Sequence, residues 1–158
     1  MPDRQHVANF PAEGIDSTVA SFIADVLELA GLFRRVADDI ARQEGQTQAR
    51  WYSLSVFSED PLTVSQAARR LGTTRQAVQR SADELLAQGL AIVEPNPDHR
   101  TSPFIRLTPA GHKVLARISR AALVFRRSWL PDPDAAELEV AHAVVRKLRD
   151  TLREHRER

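Results

Sequence analysis

Arg75, Gln76, Gln79 and Arg80 recur within "TTRQAVQRSADELLAQGLA" at spacings of three and four residues, which places them on one face of a helix. A guanidinium fork donates bidentately to guanine, and a glutamine amide pairs with adenine, when the N-terminus of a helix enters a major groove. The set therefore has the chemistry of base reading. Val78, Ala82, Leu85 and Leu86 form an apolar stripe on the other side, as a helix lying on a core requires. Thr73 and Thr74 open the segment. Thr73 with Gln76 three positions on matches a capping box, and both hydroxyls stand at the end expected to meet the polyanion.

Charge is concentrated around this helix. The chain has 158 residues and a net charge of only +1, yet residues 1–60 carry a balance of −5, residues 61–131 one of +7, and residues 132–158 one of −1. From His99 to Pro131 there is no acid at all. A local basic face is the footprint of a polyanion partner, here double-stranded DNA. The competing reading is a solvated helical surface whose arginines are neutralised in space by the acidic N-terminal segment.

Other chemistries have less to stand on. The chain has no cysteine, so thiolate catalysis, disulfides and sulfur-ligated zinc are excluded. His6, His99, His112, His142 and His155 are scattered without metal-ligand spacing, and no G-x-S-x-G or Gly-rich phosphate loop is present. Asp38 and Asp39 fall on a polar helix face. The expectation is a protein that is not an enzyme and needs no cofactor or metal. The N-terminus has no apolar leader and no window approaches about 18 uninterrupted apolar residues, so a cytoplasmic protein without a membrane partner is expected.

The elements that must hold the arginine face follow from periodicity and breakers. Val19, Phe22, Ile23, Val26, Ala30, Phe33, Ala37 and Ile40 predict a long amphipathic helix from Ser17 to Ala41, capped by Asp16 or Ser17. "ARWYSLSVFS" predicts a short helix ended before Pro61. Thr63 caps the next helix, in which Val64, Ala67, Ala68 and Leu71 face inward, and Gly72 ends it. So short a Gly-containing turn before the following helix makes a helix-turn-helix. "LAIVEP" and "FIRLT" read as strands joined by the turn cluster "NPDHRTSP", whose tip carries Asp98, His99 and Arg100, a cation placed to meet a backbone or minor groove. A helix opens at Pro109, with Val114, Leu115, Ile118, Ala122, Phe125 and Trp129 in period. A last one starts at Asp134, where Leu138, Ala141, Val145, Leu148 and Leu152 form a seam suited to a partner helix.

Helix, helix and hairpin make a winged helix, and the segment from Leu62 to Leu115 resembles the core of the MarR family of bacterial transcription regulators. The resemblance rests on "LLAQGL", on "PNPDHR" with its Asp-x-Arg, and on "RLTPAG" entering the next helix. Glu94 departs from it, standing where the family commonly has a basic residue. The resemblance implies a mainly α fold: a winged helix-turn-helix with a two-stranded β wing, flanked by long N- and C-terminal dimerisation helices. The organisation expected is an arm over 1–16, disordered or extended, a dimerisation helix over 17–45, the DNA-binding domain over 46–108 and dimerisation helices over 109–158. It further implies a homodimer binding a pseudo-palindromic operator, with Asp98 bracing the wing and Arg100 reaching into the minor groove. Phe33, Trp51, Tyr52 and Trp129 could line a cavity for a small aromatic or apolar anionic effector, as a ligand-responsive repressor would need, or could be packing aromatics. The alternative function is a winged-helix protein-interaction module without DNA binding.

Overall fold

The computed structural model describes residues 15–99, 101–130, 132 and 134–156. In chain order these form α1 (Ile15–Arg42), α2 (Gln48–Glu59), β1 (Leu62–Thr63), α3 (Val64–Leu71), α4 (Arg75–Ala87), β2 (Ala91–Glu94), β3 (Phe104–Leu107), α5 (Pro109–Trp129) and α6 (Ala135–Arg156). Most of the arm expected over 1–16 lies outside the described residues. Asp16 and Ser17 fall inside the first turn of α1 rather than before it.

The chain packs as two compact units, one ending at Ala121 and the other beginning at Ala122. The core of the first is built from Leu54 and Phe57 of α2, Ala67 and Ala68 of α3, Val78, Ala82 and Leu85 of α4, and Ile105 and Leu107 of β3. Each fully buried Leu or Phe side chain contributes roughly 1.5–3 kcal/mol over leaving it in water. Gly111, Val114 and Ile118 of α5 are buried as well, so that helix starts as part of the winged unit.

The wing is a winged helix's, with one strand more than the sequence predicts. The sheet order is β1-β3-β2, all antiparallel: Leu62 pairs with Ile105 and Thr63 with Phe104, while Ala91 to Glu94 run opposite Leu107 to Phe104. β1 is two residues long and is fixed only by its partner, which is why no local pattern announces it. It ties the start of α3 to the root of the wing.

α1 does not carry one uniform buried stripe. Ala37, Ile40 and Ala41 are buried in the winged unit, whereas Val19, Phe22, Ile23, Val26 and Phe33 are exposed. The second unit keeps large apolar side chains in solvent too: Leu123, Phe125 and Trp129 at the end of α5, and the seam Leu138, Val145, Leu148 and Leu152 of α6. Asp134 caps α6 by accepting from the Ala136 and Glu137 N–H groups. Among the described residues no helix is long and apolar enough to cross a membrane.

Candidate nucleic-acid interface

The turn between α3 and α4 is set by backbone chemistry. Gly72 adopts a left-handed conformation (φ 63°, ψ 32°) that suits a residue without Cβ, and its N–H closes on Arg69 O. At the other end of α3, Thr63 and Gln66 form a reciprocal capping box, with Gln66 N–H donating to Thr63 Oγ1 (3.2 Å) and Thr63 N–H to Gln66 Oε1 (2.8 Å).

The cap of α4 corrects the sequence reading. Thr74, not Thr73, is the N-cap, its Oγ1 accepting from Ala77 N–H at 3.2 Å. Thr73 donates its own N–H to Ala68 O (3.1 Å), so it belongs to the ending of α3. That moves Gln76 to the second helical position, and no capping box forms with it.

With Val78, Ala82 and Leu85 buried, α4 turns Arg75, Gln76, Gln79, Arg80 and Asp83 outward. These five and Glu84 line an open groove of about 700 Å³. The groove brings together the four side chains that the sequence singles out. Within it Gln79 Nε2 donates to Asp83 Oδ1 at 2.8 Å.

The arginines of the winged unit divide into paired and unpaired ones, and those on α4 belong to the second kind, as do Arg34, Arg35 and Arg120 among the described residues. Arg50 reaches Glu84 at 2.7 Å, Arg70 Glu59 at 3.2 Å, Arg106 Glu94 at 3.2 Å and Arg117 Glu44 at 2.6 Å. Among the described residues, Arg69, Arg75 and Arg80 make no ion pair or side-chain hydrogen bond, and all three are exposed. Among the described residues, carboxylates of the acidic N-terminal segment pair with Arg70 and Arg117 and not with Arg75 or Arg80. Glu94 neutralises Arg106 on the adjacent strand, leaving the root of the wing without net charge from that pair.

At the wing tip Asp98 and His99 are exposed, and Arg100 lies outside the described residues. Asn96, which the sequence reading passes over, organises the tip: buried, it donates from Nδ2 to Ser102 O (2.9 Å) and accepts at Oδ1 from Asp98 N–H (3.1 Å). The Asn-Pro step inside a turn cluster was the available signal, since Asn bonds its own backbone two residues on.

Behind α4 a polar junction fixes the helix. Arg50 is 16% exposed; besides Glu84 it donates to Gly45 O (3.0 Å), and Gln46 donates to Gln88 Oε1 (2.8 Å). Of the aromatic residues, Trp51 and Tyr52 sit side by side on α2 with ring centroids 5.9 Å apart, Phe33 is on α1, and Trp129 ends α5 in the second unit. Among the described residues no group of three or more His, Asp or Glu could hold a metal ion.

A sequence profile of the MarR family matches residues 45–100, the span from the α1–α2 loop to the wing tip. The uncharacterized protein Rv2011c of Mycobacterium tuberculosis is 48% identical over 138 residues, covering 87% of this chain and 96% of that protein. Among solved structures, Sco5413, a MarR family transcriptional regulator from Streptomyces coelicolor, superposes with a TM-score of 0.72 at 24% identity over 89% of this chain and 98% of its own. Staphylococcus aureus MarR in complex with salicylate and kanamycin does so with a TM-score of 0.77 at 13% identity over 89% and 95%.

Proposed function

The chain belongs to the MarR family of winged-helix transcription regulators, and from that premise we propose that it binds a pseudo-palindromic DNA operator as a homodimer and represses transcription until a small effector releases it. The observation that carries the DNA reading is the make-up of the outer face of α4: Arg75 and Arg80 stand there exposed and without an ion pair among the described residues, in one groove with Gln76 and Gln79. In this reading α4 enters the major groove with Thr73, Thr74, Arg75, Gln76, Gln79 and Arg80, and Asp98, His99 and Arg100 bring the wing to the flanking minor groove.

Self-association is supported by the exposed apolar residues of α1, late α5 and α6, too many large side chains for one chain to leave in water. Effector control by an aromatic or apolar anionic compound, with Phe33, Trp51 and Tyr52 of the first unit as candidate contacts, draws on the salicylate complex of the S. aureus protein. The cytoplasm is the compartment that goes with this role. The test combines sedimentation with selection from randomised duplexes. A dimer at micromolar concentration, and selected half-sites about one helical turn apart, are expected. A monomer, or selected sites without two-fold symmetry, would overturn the operator reading, and the absence of any selected duplex would leave a protein-interaction module.

A further inference from the structure

The acid on the outer face of α4 needs a reason. Asp83 is exposed and lines the same groove as Arg75, Gln76, Gln79 and Arg80, where a carboxylate works against binding a polyanion. It stands three residues from Arg80, within helical reach, yet its bond is to Gln79. Its neighbour Glu84 is held by Arg50 and does not compete. On this face Asp83 is therefore the acid without an ion pair among the described residues, and its hydrogen bond is to an amide placed to read a base.

The sense of that amide follows from chemistry. An ionised carboxylate only accepts, so the Gln79 end that meets it must be Nε2, and Oε1 and the second Nε2 N–H are left without a partner among the described residues. A free glutamine offers a base both a donor and an acceptor and can turn over to present either. Here the turned-over amide would set Oε1 against the Asp83 carboxylate, oxygen against oxygen.

On the reading of α4 as the helix that enters the major groove, we infer that Asp83 is a specificity-determining residue: by holding one N–H of Gln79 Nε2 it fixes the sense of the amide and presents Oε1, with at most one N–H beside it, to the duplex. The base then favoured is one whose major-groove edge offers an exocyclic amino group, cytosine N4 or adenine N6. The keto bases are disfavoured. Guanine shows O6 and N7 and thymine O4, acceptors that only the remaining Nε2 N–H can meet, which leaves Oε1 unpaired against an acceptor edge. Asp83 thus trades affinity for a choice between amino and keto bases at one position of each half-site.

The experiment starts from the duplex selected by the wild-type chain and replaces each base pair in turn. Loss of preference in Gln79→Ala identifies the position that Gln79 reads. There the wild type is expected to prefer A or C over G or T on the contacted strand by on the order of tenfold. Asp83→Asn, which can hold the amide in either sense, and Asp83→Ala should cut that preference below about threefold while overall affinity stays equal or rises. Adenine and cytosine substrates at that position tell which amino group is met. A preference for G or T there, an unchanged preference in both Asp83 variants, or no position affected by Gln79→Ala would overturn the inference and leave DNA binding intact. A wild-type chain that selects no duplex would overturn the inference together with the reading beneath it.

Discussion

Replacing Gly111 with alanine tests how the winged unit is closed. A Cβ built on Gly111 overlaps the backbone carbonyl oxygen of Leu90, and the atom in the way cannot rotate aside. That oxygen already accepts the Thr108 N–H (3.0 Å), and Thr108 Oγ1 donates to Gly89 O (2.8 Å) while accepting from Gly111 N–H (3.1 Å). To make room, the start of α5 must back away from the α4–β2 turn. The two bonds from Thr108 into that turn are then strained or lost, at about 1 kcal/mol each. Overpacking adds roughly 1–3 kcal/mol, because Val114 and the fully buried Ile118 follow on the same face. Alanine's better helix propensity returns at most about 1 kcal/mol. The expected net loss is about 2–4 kcal/mol, a fall of roughly 1–2 M in the urea midpoint for a slope near 2 kcal/mol/M. It is measured by circular dichroism at one fixed protein concentration, since self-association would shift the midpoint by mass action. A midpoint unchanged or raised at equal slope would refute the close approach of α5 to Leu90.

The caps of α4 separate two adjacent threonines: Thr74→Ala should cost about 1 kcal/mol of stability and Thr73→Ala much less, with the reverse order in denaturation contradicting the geometry. Arg75→Ala should flatten the dependence of log affinity on log salt by about 0.9 for each chain if it meets a phosphate, whereas Arg70→Ala, whose charge Glu59 already balances, should change it by less than half as much; equal changes would refute the distinction. Asn96→Ala removes the bond to Ser102 O and should lower stability by about 1 kcal/mol, read in the same urea titration. Arg50→Ala frees Glu84 toward the α4 groove and should weaken duplex binding, and adding Glu84→Gln should restore binding without restoring stability; a double variant that binds no better than Arg50→Ala would show the effect to be structural only.

The features legible in the sequence are those written in local chemistry. Gly72 and Pro109 mark ends that the structure keeps, Asp134 caps α6, and the apolar residues of α4 face inward in the period that the sequence shows. What escaped depends on distant partners. β1 exists through Ile105 and Phe104, some forty residues away. Thr73 and Thr74 are equally good caps by type, and the choice between them turns on which N–H closes α3. The long stripe of α1 has one period from end to end, yet only its last turns find a core within this chain, because periodicity says which face is apolar and not what covers it.

Net charge illustrates the same limit and bears directly on function. A total of +1 predicts almost no long-range attraction to DNA. At physiological ionic strength, though, exposed charges more than about 8 Å apart scarcely feel one another, so an incoming phosphate responds to the charges nearest it and not to the total. The winged unit does not present its charges evenly. Glu44, Glu59, Glu84 and Glu94 are each bound to an arginine, and each pair is close to neutral from outside. Arg69, Arg75 and Arg80 have no such partner among the described residues. The fold thus converts a nearly neutral sequence into a positive α4 face by matching these carboxylates to other arginines, and Asp83 on that face bonds an amide rather than a cation.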